Sequence, residues 1–64
     1  MINVPENIQH ARHNANLTQV ELAERMGVAQ SRIYEWETGK KDPTASSLIK
    51  IARALGIEPG ELLK

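Results

Sequence analysis

The chain has 64 residues, with eight basic and eight acidic side chains, a formal net charge of zero and no cysteine. A chain this short forms one domain at most, because it buries only about 60% of its unfolded surface and has little room for a deep catalytic pocket. Disulfides and thiolate zinc sites are excluded, and no apolar run approaches the roughly 18 residues of a membrane span, so the expectation is a soluble cytoplasmic protein.

Helical periodicity dominates from end to end, and no segment alternates cleanly enough for a strand; the fold class expected is all-α. Pro5 suits the first turn of an opening helix over about residues 5 to 14, with Asn3 as a candidate cap. Ile8, Ala11, Arg12 and Ala15 form its inward stripe, and Asn14 and Asn16 end it. Thr18 followed three residues later by Glu21 is a capping box. It opens a second helix whose stripe is Leu22, Ala23 and Met26. Gly27 stops that helix, where a left-handed backbone would cost another side chain about 1 kcal/mol or more. A short turn leads to a third helix, about Gln30 to Thr38, with Ile33, Trp36 and Glu37 facing inward and Gly39 as its stop.

Lys40, Lys41, Asp42 and Pro43 form a loop. Thr44 or a neighbour caps a fourth helix with Leu48, Ile51, Ala52 and Leu55 on its buried face. Gly56 ends it, Ile57 returns to the core, and Pro59 opens a fifth short helix through Leu62 and Leu63. No internal repeat, low-complexity tract or domain boundary interrupts residues 1–64.

Two short helices joined by a glycine-containing turn, residues 18 to 38, have the form of a helix-turn-helix unit. Ala23 and Gly27 would allow the helices to approach closely, with Ile33 and Trp36 filling the space beneath. A generic αα corner in a small bundle would use the same residues.

The chain resembles the helix-turn-helix family of phage repressor and Cro proteins from about Ile8 to Leu63. The resemblance is carried by Thr18-Gln19, Leu22-Ala23, Gly27-Val28, Gln30-Ser31, Ile33, Trp36-Glu37, Gly39, Pro43, Leu48, Ile51-Ala52, Leu55-Gly56 and Leu62. It implies a compact five-helix, lambda-repressor-like domain that binds double-stranded operator DNA as a homodimer, with the third helix in the major groove.

On that resemblance, Gln30, Ser31, Arg32 and Glu35 are the candidate base readers. Glutamine suits adenine N6 and N7, and arginine suits guanine O6 and N7 or a phosphate. Glu35 departs from the basic or amide residue common in relatives. It would either accept from cytosine N4 or pair on the surface near Arg32 and Thr38. Tyr34 replaces a small residue and would rest on the sugar-phosphate edge. Gln19, in the first turn of the second helix, matches the family's backbone clamp, and Thr38, Lys40 and Lys41 are expected at phosphates beyond the third helix. The resemblance further implies a structural ion pair between Arg12 and Glu37, and a dimer interface around Ile57, Glu58, Glu61, Leu62 and Leu63.

His10 and His13 lie one helical turn apart but lack further ligands, so no metal or other cofactor is expected. No nucleophile, base and orienting residue are assembled, and no glycine-rich phosphate loop is present, which argues against an enzyme. The competing expectation is a protein-interaction module or antitoxin-like subunit with the same fold, supported by the neutral charge and Glu35. A C-terminal domain outside this sequence is compatible with either reading.

Overall fold

Each stretch of helical periodicity becomes a helix in the computed structural model, which describes residues 2–64. The order is α1 (Val4–Asn14), α2 (Gln19–Met26), α3 (Gln30–Thr38), α4 (Ala45–Leu55) and a closing 3-10 turn (Pro59–Leu62). The all-α architecture follows, and α1 begins one residue earlier than its proline alone suggests. Asn3 caps it by accepting from the Glu6 N–H at 3.2 Å. The fifth element is a 3-10 turn rather than an α-helix, as befits a four-residue segment too short to propagate α-helical bonds.

The first bend is set by Asn16, whose φ is 59°. Its N–H donates to the His13 carbonyl at 2.9 Å, and the next N–H, on Leu17, donates to the Arg12 carbonyl at 3.2 Å. These two bonds close a Schellman motif in which asparagine fills the place usually held by glycine. The reversal turns Leu17 into the core. Leu17 then precedes the Thr18 cap of α2, and Leu22 lies four positions after that cap, the spacing of a hydrophobic staple. No periodic stripe contains Leu17, so the sequence reading passed over it.

Gly27, at the bend between α2 and α3, has φ 68°. A Cβ built there meets nothing within 4 Å. The close helix approach expected at this glycine is therefore corrected: the backbone angle requires it, and steric room does not. Ala23, buried one turn earlier, is the residue that allows the two helices to meet.

The core is built from Ile8, Leu17, Leu22, Ala23, Ile33, Trp36, Ile51, Ala52, Leu55 and Leu62, so every element contributes to it. Full burial of a Leu or Ile side chain supplies roughly 1.5–3 kcal/mol, which explains how a chain this small holds together without covalent staples. Asn7 on α1 ties down the last turn by donating from Nδ2 to the carbonyls of Leu62 at 3.1 Å and Lys64 at 2.9 Å.

Leu62 is fully buried. Its side chain closes the core and cannot meet a second copy, which removes it from the expected dimer interface. Leu63, the next residue, turns outward and is 44% exposed.

Candidate nucleic-acid interface

The burial of Ile33, Trp36 and Glu37 fixes the rotation of α3 about its own axis. With that face inward, Gln30, Ser31, Arg32, Tyr34 and Thr38 stand on the exposed side, and Glu35 is half-buried at its margin. The start of α3 also differs from those of α1, α2 and α4, which are capped by Asn3, Thr18 and Thr44. Ala29 stands at the cap position of α3 and has no side-chain acceptor. The first backbone N–H groups of α3 therefore receive no side-chain cap.

Behind this exposed edge lies a charged pair shielded from water. Arg12 Nε donates to Glu37 Oε2 at 2.7 Å and Arg12 Nη2 donates to Glu37 Oε1 at 3.0 Å. The side chains are 8% and 2% exposed. Arg12 also donates from Nη1 to the Leu17 carbonyl at 2.8 Å and meets His13 Nε2 at 3.3 Å. The guanidinium therefore joins α1, the Asn16 bend and α3, and a two-pronged bond to a carboxylate is the geometry in which arginine holds best.

The pair extends outward through two amides. Gln19 Nε2 donates to Glu37 Oε1 at 3.1 Å, and Gln30 Nε2 donates to Gln19 Oε1 at 2.7 Å. The residue expected to clamp the backbone and the residue expected to read a base thus touch each other across the turn. This contact was missed in the sequence, because eleven residues separate the two glutamines and only the packing of α2 against α3 unites them.

Beyond α3, the lysines are drawn to its side chains. Lys40 Nζ lies 5.6 Å from the centroid of the Tyr34 ring, within cation–π range. Lys41 Nζ approaches Glu35 Oε2 at 3.9 Å. The Glu35 carboxylate bonds neither Arg32 nor Thr38, the surface partners expected for it; the Thr38 hydroxyl reaches only the Glu35 backbone carbonyl, at 3.5 Å. Thr38 bonds to its own helix, its hydroxyl donating to the Tyr34 carbonyl at 2.8 Å. Arg32, Glu35, Lys41, Asp42, Thr44 and Ser47 rim a polar groove with Trp36 beneath it.

Away from α3, Ile57 is half-buried while Glu58 and Glu61 are exposed. Glu61 accepts the Glu58 N–H at 3.1 Å, which spends one of its oxygens on starting the 3-10 turn. Ile49, unremarked in the sequence, is 46% exposed and borders a groove shared with Ile57 and Pro59. His10 faces Glu6 at 3.8 Å, whereas His13 turns to Arg12. Among the described residues no three His, Cys, Asp or Glu side chains converge as a metal site, and no helix is long and apolar enough to cross a membrane.

A family model described as helix-turn-helix matches residues 8–62. The transcriptional activator BcrR of Enterococcus faecalis is 40% identical over 58 residues, which cover 91% of this chain and 28% of BcrR. This chain therefore spans little more than a quarter of that relative. The restriction-modification controller protein C.AhdI from Aeromonas hydrophila superimposes with a TM-score of 0.90 at 29% identity, covering 97% of this chain and 94% of that one. The P22 c2 repressor, solved in complex with a synthetic operator, superimposes with a TM-score of 0.84 at 30% identity, covering 95% of this chain and 92% of that one.

Proposed function

The chain belongs to the helix-turn-helix family, and we propose that residues 1–64 form one DNA-binding domain of a transcriptional regulator, acting in the cytoplasm as a repressor. It reads double-stranded operator DNA by inserting α3 into the major groove. The observation that carries this reading is the uncapped, outward start of α3, which puts Gln30, Ser31 and Arg32 on an exposed edge while Ile33 and Trp36 anchor it from behind. The similarity to a repressor solved in complex with a synthetic operator supports the DNA-binding reading.

Gln30 is the principal base reader, with Ser31 and Arg32 beside it. Gln19 and the N-terminal amides of α2 hold one phosphate strand, and Lys40 and Lys41 hold the other. Tyr34, under the Lys40 ammonium, lies against the sugar-phosphate edge. Glu35 contributes to selectivity at the margin of the groove, its charge partly offset by Lys41.

Affinity comes from two copies. The domain measures 29 × 24 × 20 Å, small enough for one copy to occupy one half-site, with the two half-sites one turn of B-DNA, about 34 Å, apart. Ile57, Glu58, Glu61 and Leu63 supply the contact between them, joined by exposed Ile49.

Selection from a pool of random duplexes at about 50 mM salt, repeated at about 200 mM, tests the proposal. A symmetric enriched site with half-sites one turn apart is the expected result, and equal weak retention of all duplexes overturns it. Gln30→Ala should then cost about 1–3 kcal/mol at one base pair of each half-site and relax selectivity there. A uniform loss across all duplexes would instead reassign Gln30 to a phosphate.

A further inference from the structure

The amide contacts behind α3 form a directional relay. We propose that Glu37 is a positioning residue for base selectivity, acting through Gln19 to set which edge of the Gln30 amide faces the DNA. The inference rests on the assignment of Gln30 as base reader and adds the device that orients it.

The chemistry of each partner leaves one arrangement. Arg12 carries only donors, so the groups facing it are the two oxygens of Glu37, at 2.7 Å and 3.0 Å. An ionised carboxylate can only accept, so the end of Gln19 that meets Glu37 Oε1 at 3.1 Å is its NH2 group. The Gln19 oxygen is thereby turned toward Gln30 and accepts from Gln30 Nε2 at 2.7 Å. What remains free on Gln30 is its oxygen and one N–H. One acceptor beside one donor complements the N6 donor and N7 acceptor of adenine.

With the relay reversed, Gln30 would spend its oxygen on Gln19 and present the NH2 group. Two donors complement the O6 and N7 acceptors of guanine instead. The charge buried at position 37 thus decides between two purines without touching either, and selectivity is written into a side chain that mutational scans of the exposed surface would pass over. The near-isosteric change Glu37→Gln supplies the reversal. Arg12 Nε would keep the amide oxygen at the Oε2 place, the NH2 group would take the Oε1 place toward Gln19 at the loss of the Arg12 Nη2 bond, and both downstream amides would turn over to match.

The test compares wild type, Glu37→Gln and Gln19→Met on matched operator duplexes carrying adenine or guanine at the position read by Gln30. Circular dichroism at low temperature establishes that each variant is folded. The adenine-to-guanine affinity ratio should fall about tenfold or more in Glu37→Gln, with guanine gaining in absolute affinity. In Gln19→Met, which leaves the Arg12–Glu37 pair intact, the ratio should fall toward one without a gain for guanine. Folded Glu37→Gln that keeps the wild-type ratio within about twofold would overturn the proposal.

A second readout uses no DNA and separates failure of the relay from failure of the DNA reading. In the free domain, the two Gln30 side-chain amide protons should have well-separated NMR shifts, with one protected from exchange. Gln19→Met should bring both to the values of a solvated amide. Unchanged shifts in that folded variant would equally overturn the relay, whether or not the wild type selects any sequence.

Discussion

Arg12 and Glu37 tie α1, the Asn16 bend and α3 together. Removing one partner leaves the other as an uncompensated charge in a site that water barely reaches, so Arg12→Ala or Glu37→Ala should each lower stability by about 3 kcal/mol in urea denaturation. Replacing both together, as in Arg12→Met with Glu37→Leu, should cost less than either single alanine, because the desolvation of two charges disappears along with their attraction. If the double replacement lost as much as the two alanines summed, the pair would be contributing net stability beyond the charge it protects. Pairing of these positions was legible only through family resemblance, since 25 residues separate them. The outward continuation through Gln19 and Gln30 had no signal at all in the linear pattern.

At the scale of the elements, the turns are specified by backbone angle as much as by apolar periodicity. Gly27→Ala should cost about 1 kcal/mol in thermal unfolding, and Gly27→Asn should recover part of it, since asparagine tolerates the left-handed region better than alanine. The open space around the Gly27 Cβ position means that no steric penalty adds to this figure. At the start of α2, Thr18 N–H donates to Glu21 Oε1 at 2.8 Å and the Glu21 N–H returns a bond to Thr18 Oγ1 at 3.1 Å. The bond from the Thr18 backbone, followed by its hydroxyl and the nearby charge of Arg25, holds the Glu21 carboxyl below its ordinary 4.5. A carboxyl lowered on folding stabilises the native state above its unfolded pKa, and that contribution disappears as pH falls through the folded value. An NMR titration should therefore find Glu21 ionising below 4.5, with the Thr18 amide shift following the same curve. Glu21→Gln should abolish that dependence of the Thr18 amide.

α2 and α4 were readable because caps, stops and stripes agree at both: Thr18 with Glu21 and Gly27, and Thr44 with the Leu48–Ile51–Leu55 face and Gly56. Leu17 was not, because it enters the core through the Asn16 reversal rather than through any helical period. Leu62 and Leu63 are equivalent in composition, and only the three-residue turn of the final element decides that the first faces in and the second out. Glu35 likewise found Lys41 because the chain folds back after Gly39, a path that charge spacing along α3 does not reveal.

For the whole molecule, neutrality conceals an uneven distribution. Arg25, Lys50 and Arg53 gather around a groove between α2 and α4, apart from the start of α3. Arg32, Lys40 and Lys41 remain on the proposed DNA side against Glu35 and Asp42. So small a surplus makes the two lysines disproportionately important for binding any duplex. Lys40→Gln and Lys41→Gln should each reduce the slope of log affinity against log salt by about one unit while leaving base preference unchanged. A slope unaffected by both substitutions would place these lysines away from the phosphates. Lys41 should show the smaller effect of the two if Glu35 keeps hold of it in the complex.

The 2% exposure of the Glu37 side chain has a consequence at the level of regulation. Mobile ions weaken the grip of exposed lysines on the phosphate chain, yet they have little access to a carboxylate enclosed by protein. On the proposed reading, rising salt would loosen binding to every duplex in proportion and leave their order of preference intact.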